Sequence, residues 1–76
     1  MRLLATLYLL VNINTATIEE LDSLPGIGPV IASRIIEFRE KRGGFRRVEE
    51  LLAIQGISER MWQELEGLVE VTPPTD

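Results

Sequence analysis

The chain has 76 residues, of which 45% are hydrophobic and 26% are charged, and its net charge is −4. This length allows one small domain, and the hydrophobic fraction is that of a globular protein. The chain has no cysteine, which excludes disulfides and thiolate metal sites. It also has no histidine, which removes imidazole zinc sites, the Ser-His and Cys-His nucleophile pairs and the commonest general base.

Both ends of the chain differ in composition from its middle. Residues 3–11 are apolar except for Thr6, yet a bilayer span needs about 20 residues. Residues 1–10 therefore resemble an apolar leader, the remnant of a signal peptide or membrane anchor. The alternatives are an extra helix or strand packed on the core, or an artefact of the assigned chain start. Residues 72–76 are polar with two prolines and are expected to form a frayed tail or a linker, which leaves residues 11–71 as the domain.

Charge is distributed unevenly along the chain. Between Pro29 and Arg47, six basic residues stand against two acidic ones, so this segment carries a charge of +4 while the rest of the chain carries −8. Most such runs are solvated helix faces, and a small patch that faces phosphate is the functional alternative. The acidic total argues against coating nucleic acid by bulk charge, but it is compatible with binding at a local site.

The middle of the chain contains an internal repeat with an offset of 30 residues. Residues 18–21 (IEEL) match residues 48–51 (VEEL), and residues 24–28 (LPGIG) match residues 54–58 (IQGIS). Further apolar positions match at the same offset: Ile31 with Met61, Ile35 with Leu65 and Phe38 with Leu68. Each unit is too small to bury its own apolar face, so we expect the two units to pack on each other.

The first unit is predicted to form a short helix, a tight turn and a longer helix. Thr17 and Glu20 make a capping-box pattern, which predicts a helix from Thr17 to about Leu24. Pro25 ends that helix, and Gly26 supplies the left-handed backbone of the turn.

The longer helix is predicted to begin at Gly28 as N-cap, with Pro29 at its first position. Its apolar positions, spaced as in a helix, should face inward. Lys41 and Arg42 fall in its last turn, where they complement the helix dipole, and Gly43 ends it.

The second unit predicts a helix from Val48 to about Ile54, a turn, and a helix from Ser58 to about Val69. Ser58 is a favourable N-cap, whereas Arg47 leaves the preceding helix without one. No segment alternates with a period of two for long enough to require a sheet, although residues 11–14 are expected to be extended. We therefore predict an all-α fold of four to five short helices, with the two units related by a pseudo-two-fold axis.

Each glycine-containing turn leads directly into a helix. The free backbone N–H groups at such a helix start, together with the positive end of the dipole, make a ready anion site. Ile27 and Ile57 at the turn centres are expected to point inward and anchor the turns. Two turns related by a two-fold axis would meet two phosphate tracks of a duplex, and such contacts carry no base information.

This combination of motifs resembles the helix-hairpin-helix domain of ComEA-type competence proteins. The matching segments are residues 11–17 (VNINTAT), 19–21 (EEL), 24–29 (LPGIGP), 35–36 (II), 38–39 (FR), 44–46 (GFR) and 48–52 (VEELL). The resemblance covers residues 11–71. It implies a tandem helix-hairpin-helix fold, similar to SAM domains, that binds double-stranded DNA without sequence preference.

The resemblance also implies a role as DNA receptor in natural transformation. Such a receptor acts outside the cytoplasmic membrane, tethered to it or secreted, with DNA-uptake proteins as partners. A monovalent cation held by turn carbonyls is a family property on which the residues themselves give no information, and no cofactor is expected.

The predicted DNA contacts fall in the two turns and the helices that follow them. They are Gly26, Ile27, Gly28, Val30, Ile31 and Arg34 in the first unit, and Arg46, Arg47, Gly56, Ile57, Ser58 and Arg60 in the second. Ile31 stands where such domains often carry lysine. The Ser58 hydroxyl competes with phosphate for amides and Glu59 repels it, so the first turn is expected to be the stronger site.

Four residues have alternative interpretations. Arg46 and Arg47 either flank the duplex or are ordinary linker charges. Arg34 either reaches a phosphate held at Gly28 or pairs with an acidic side chain. Trp62 is expected to pack in or beside the core, because one aromatic residue makes a poor single-strand binder.

Two other function classes stand beside DNA binding. The first is a protein-interaction module of the same fold, because one fold can serve several functions. The negative net charge and the apolar Ile31 favour this class. The second is an enzyme, which the lack of histidine, cysteine and a carboxylate cluster disfavours.

Overall fold

A computed structural model describes residues 10–74 and shows short elements linked by tight turns. In chain order they are β1 (Val11–Asn12), α1 (Ile18–Asp22), α2 (Pro29–Arg42), a 3-10 helix (Val48–Ala53), α3 (Glu59–Leu65) and β2 (Val69–Glu70). The mostly helical architecture agrees with the sequence-based prediction. The apolar leader predicted for residues 1–10 lies, except for Leu10, outside the described residues.

Local capping chemistry accounts for most of the helix boundaries. Thr17 Oγ1 accepts a hydrogen bond from the Glu20 amide (3.2 Å), and the Thr17 amide donates to Glu20 Oε1 (2.9 Å), which completes the capping box. Gly28 is the N-cap of α2 and Pro29 its first residue. The helix ends at Arg42 and is capped by Gly43, whose φ of 75° is left-handed, as is usual for glycine after a helix C-terminus.

Three elements differ from those predicted, two in where they end and one in helix type. α1 ends at Asp22 rather than near Leu24, since the Leu24 amide closes a tighter bond to the Leu21 carbonyl (3.1 Å). The predicted third helix is a 3-10 helix, and its N-cap Arg47 makes no side-chain capping bond. α3 ends at Leu65, and the residues beyond it turn into β2 instead of continuing as helix to Val69.

A small parallel sheet joins the two ends of the domain, which the all-α prediction did not include. β1 pairs with β2 in parallel, with Val11 opposite Val69. The Val11 amide donates to the Leu68 carbonyl (2.9 Å) and the Ile13 amide to the Glu70 carbonyl (3.0 Å). Each strand has two residues, so neither shows the alternation by which strands are recognised in a sequence.

Asn14 ties this sheet to the loop after α2. Its Nδ2 donates to the carbonyl oxygens of Phe45 (2.8 Å) and Thr72 (2.9 Å), and its Oδ1 accepts from the Phe45 amide (2.7 Å). Asn12 Nδ2 donates to Thr72 Oγ1 (3.0 Å). Thr72 is therefore held by two side chains, which the prediction of a frayed tail did not anticipate.

The core lies between the two repeat units and is entirely apolar among the described residues. Its largest fully buried side chains are Phe45, Ile13, Leu21, Ile35, Leu51 and Leu65. Trp62 is also buried, as predicted. Arg39 lies at the edge of this core, where its Nη1 donates to the carbonyl oxygens of Ile13 (3.1 Å) and Ala16 (2.8 Å). The guanidinium thereby satisfies two backbone acceptors of the segment between β1 and α1.

Candidate nucleic-acid interface

The two turns have the same hydrogen-bond pattern at the offset of the repeat. In the first, the Ile27 amide donates to the Leu24 carbonyl (3.0 Å), and in the second the Ile57 amide donates to the Ile54 carbonyl (3.1 Å). Gly26 and Gly56 both have positive φ, of 77° and 105°. Ile27 and Ile57 are buried and anchor the turns in the core, as predicted.

Each turn packs against the helix that follows the other turn. A β-carbon built on Gly26 would lie 3.3 Å from Met61 Cε, and one built on Gly56 would lie 3.1 Å from Ile31 Cδ1. Ile31 and Met61 are themselves equivalent in the repeat, so the two contacts are reciprocal. Ile31 stands where domains of this kind often carry a lysine that contacts DNA. Here its side chain is half-buried in the contact between the two units.

Substitution at Gly56 should therefore cost more stability than substitution at the other turn glycines. We expect Gly56→Ala to lower the free energy of unfolding by about 2–3 kcal/mol. An L-residue held in a left-handed backbone conformation destabilises the fold by about 1–2 kcal/mol, and the close approach of the new β-carbon to Ile31 adds to this loss. Chemical denaturation measures this value. Gly28→Ala is the control: φ at this position is −102° and a β-carbon there meets nothing within 4 Å, so the change should cost no more than about 1 kcal/mol, the preference for glycine over alanine at an N-cap. Equal losses in the two variants would contradict the packing described here.

The first turn presents a set of amides without acceptors. Gly28 has no side chain to cap α2, and Pro29 has no N–H. The Ala32 amide bonds to the Gly28 carbonyl (2.9 Å). Within residues 10–74, the amides of Gly28, Val30 and Ile31 have no hydrogen-bond acceptor. Val30 projects into solvent with 61% of its surface exposed, beside these amides.

The second turn differs in which amides it leaves open. Ser58 Oγ accepts from the Met61 amide (3.2 Å), so the serine occupies the donor equivalent to Ile31. In the described part of the chain, the amides of Ser58, Glu59 and Arg60 have no acceptor. Three amides are thus open at the start of the helix that follows each turn, and the charged side chains at the second helix start are Glu59 and Arg60.

Arg34 lies against the second turn rather than the first. Its Nη1 donates to the Gln55 carbonyl (2.9 Å), and the same nitrogen is 3.3 Å from a β-carbon built on Gly56. Arg34 therefore pairs with a backbone carbonyl rather than with an acidic side chain, and it lies at the second turn rather than at Gly28, so its position differs from both alternatives given above. No sequence signal indicates this contact, which joins residues 21 positions apart.

Comparisons with known proteins identify the family. A profile described as helix-hairpin-helix motif matches residues 8–70. The chain belongs to the helix-hairpin-helix family. The chain is 42% identical over 62 residues to ComE operon protein 1 of Bacillus subtilis, which covers 82% of this chain and 30% of that protein. The resemblance to ComEA-type competence proteins predicted from the sequence is thereby confirmed.

Other relatives share this helix-hairpin-helix segment in different settings. The chain is 52% identical over 46 residues to human endonuclease/exonuclease/phosphatase family domain-containing protein 1, covering 60% of this chain and 8% of that protein. It is 53% identical over 47 residues to an uncharacterized protein of Haemophilus influenzae, covering 60% of this chain and 42% of that protein. The chain spans less than half the length of each of these relatives.

The remaining basic residues of the helix-hairpin-helix chain differ in their surroundings. Arg47 and Arg60 are exposed. Arg46 is exposed as well, and its amide donates to Glu50 Oε1 (3.1 Å). Lys41 pairs with Glu37 at 3.0 Å on the surface of α2. Arg39 belongs to the basic segment between Pro29 and Arg47, and its guanidinium donates to two backbone carbonyls, as described above.

The described residues contain neither a cluster of metal ligands nor a membrane-spanning helix. Residues 10–74 contain no group of three or more acidic side chains placed to hold a metal ion. None of the helices in this part of the helix-hairpin-helix chain has the length and apolar character needed to cross a bilayer.

Proposed function

We propose that this chain is a tandem helix-hairpin-helix module that binds the backbone of double-stranded DNA without sequence preference. The observation that carries the proposal is the pair of equivalent turns, each followed by three amides without acceptors and each packed on the other unit. Amides at a helix start bind phosphate oxygens, and such contacts fix the protein on the duplex without reading bases. The reciprocal contacts support a pseudo-two-fold relation, which would present one turn to each strand.

We further propose that the protein serves as a DNA receptor in natural transformation, outside the cytoplasmic membrane. Support comes from the family and from the relative named ComE operon protein 1. DNA-uptake proteins would be its partners. The module itself would be non-enzymatic, since its counterparts in the endonuclease/exonuclease/phosphatase proteins cover only 8% of their length. Protease accessibility on intact cells tests the location, and protection of the protein would contradict it.

Fluorescence anisotropy with labelled duplexes of several sequences, titrated with salt, tests DNA binding. We expect similar affinities for all duplexes and a slope of log affinity against log salt near −0.9 per phosphate contact. Non-specific binders have dissociation constants of about 10⁻⁴ to 10⁻⁶ M at physiological salt and bind more tightly at about 50 mM salt. A lack of binding at about 50 mM salt would therefore favour the protein-interaction module.

Arg34 provides a test of backbone recognition. Arg34→Ala should weaken binding to all sequences alike and flatten the salt slope by about one unit, because it removes a charge that is proposed to contact phosphate. Because the variant also loses the bond to the Gln55 carbonyl, circular dichroism and Arg34→Lys serve as controls: the lysine variant should retain the slope. Loss of affinity for some sequences only would show base readout and contradict the proposed mechanism.

A further inference from the structure

A basic groove runs along α2 beside the second turn. Arg34, Phe38, Lys41 and Arg42 of α2 line one side, residues 53–55 line the other, and its volume is about 300 Å³. We call it the α2 groove. It contains three basic side chains and one carboxylate, Glu37, while the residues on its opposite side carry no charge. The groove is therefore cationic on a chain whose net charge is negative.

The two arginines of the α2 groove are held by defined contacts. The Arg42 guanidinium lies over the Phe38 ring, 5.0 Å from its centroid, and Phe38 stacks on the buried Phe45 ring at 4.7 Å. Arg34 uses Nη1 for the Gln55 carbonyl, which leaves further N–H donors of its guanidinium for a ligand. Cations that are already ordered lose less conformational entropy when they bind an anion. Lys41 contributes less, because Glu37 neutralises it at 3.0 Å.

The groove is continuous with the second turn and has a length that suits a nucleic-acid strand. Gln55 lines the groove and directly precedes Gly56 of the turn. Arg34 and Arg42 are eight residues apart on α2, a rise of about 12 Å, and lie on one helix face. One strand of duplex DNA carries a phosphate about every 3.4 Å along the duplex axis, so Arg34 and Arg42 are far enough apart to contact different phosphates of one strand.

We propose that the α2 groove is an additional DNA-backbone site, in which Arg42 and Arg34 contact the strand beyond the phosphates bound at the second turn. The inference rests on the proposed function and adds Arg42 to it, a residue that lies in neither turn. The occupant is the sugar-phosphate backbone of DNA, because the groove offers cations in series and continues an expected phosphate site. An acidic peptide is the alternative that the test distinguishes.

The test compares Arg42→Gln, Arg42→Lys and Thr15→Asp in the full chain by anisotropy. Arg42→Gln should weaken binding to a duplex of about 20 base pairs about fivefold and lower the salt slope by about one unit, as loss of one phosphate contact requires. Arg42→Lys should keep the slope. Thr15→Asp changes the net charge by the same one unit in an exposed turn that lines neither the groove nor the hairpins, and should change affinity less than twofold.

Duplex length separates this site from the two turns. On a duplex of about 8 base pairs, roughly 27 Å long at about 3.4 Å per step, the loss caused by Arg42→Gln should be smaller than on the longer one. Two results would overturn the α2 groove proposal but not the proposed function. In the first, the unmodified chain binds both duplexes and Arg42→Gln has no more effect than Thr15→Asp. In the second, the affinity lost in Arg42→Gln is the same on both duplex lengths. No duplex binding by the unmodified chain overturns both proposals, and binding of poly-glutamate instead would assign the groove to an acidic partner.

Discussion

Gly28→Glu is expected to reduce duplex binding at least tenfold while the fold is retained. The carboxylate would stand beside the amides of Gly28, Val30 and Ile31, where the first phosphate is proposed to bind. Two like charges about 4 Å apart repel by about 1 kcal/mol in bulk water and by more near a protein surface, and 1.4 kcal/mol corresponds to a tenfold change in affinity. The backbone tolerates the substitution, because φ at this position is −102° and a β-carbon meets nothing within 4 Å.

Two matched variants separate charge from size in that experiment. Gly28→Gln has nearly the same volume without the charge and should lose much less affinity than Gly28→Glu. Gly28→Ala tests whether the close approach of phosphate to the backbone requires glycine. Circular dichroism establishes that all three variants keep their helices. Full affinity in folded Gly28→Glu would remove the first turn from the DNA contact, whatever the remaining surface does.

The largest effect on stability is expected at Asn14. Asn14→Ala should lower the free energy of unfolding by about 3 kcal/mol, because three hydrogen bonds of about 1 kcal/mol each are lost and the backbone groups of the buried Phe45 lose their partner. In a domain of this size each kcal/mol lowers Tm by about 4–8 °C, so a fall on the order of 15 °C is expected. Thermal and chemical denaturation measure both values.

The neighbouring asparagine provides the control for this substitution. Asn12→Ala removes the bonds to Thr72 Oγ1 and to the Asn14 amide, the first of which is exposed, and should cost about 1 kcal/mol. Losses of equal size in the two variants would show that the hydrogen bonds of Asn14 to Phe45 stabilise the fold no more than the exposed contacts of Asn12 do.

The parts of the fold that could be predicted from sequence depend on neighbouring residues. The capping box of Thr17 and Glu20, the Ser58 cap and the stop at Gly43 each involve groups within about four positions, so residue type and spacing suffice to identify them. The turns were predictable for the same reason, and the repeat strengthened both predictions. The 3-10 geometry of the segment after Arg47 could not be predicted, because the spacing of apolar residues differs little between a short 3-10 helix and an α-helix.

The contacts that sequence did not reveal join distant segments. Asn14 and Arg39 look like ordinary polar residues in the printed sequence, and only the fold brings the carbonyls of Thr72 and Ile13 to them. Arg34 is the instructive case within the candidate site. Its position one turn into α2 suggested a role at the preceding hairpin, but the packing of the two units places it at the other hairpin. A repeat indicates that two units meet without indicating which side chains cross between them.

The parallel pairing of the first and last strands determines how the domain resists stretching. A pull between residues 11 and 70 draws the two strands in opposite directions along their own axes, since they run parallel. The bonds from Val11 to Leu68 and from Ile13 to Glu70 are then loaded together in shear, instead of opening one after another as in unzipping. Forced unfolding depends on the unfolding rate rather than on equilibrium stability. This four-residue seam, far smaller than the hydrophobic core, is the mechanical clamp of the domain.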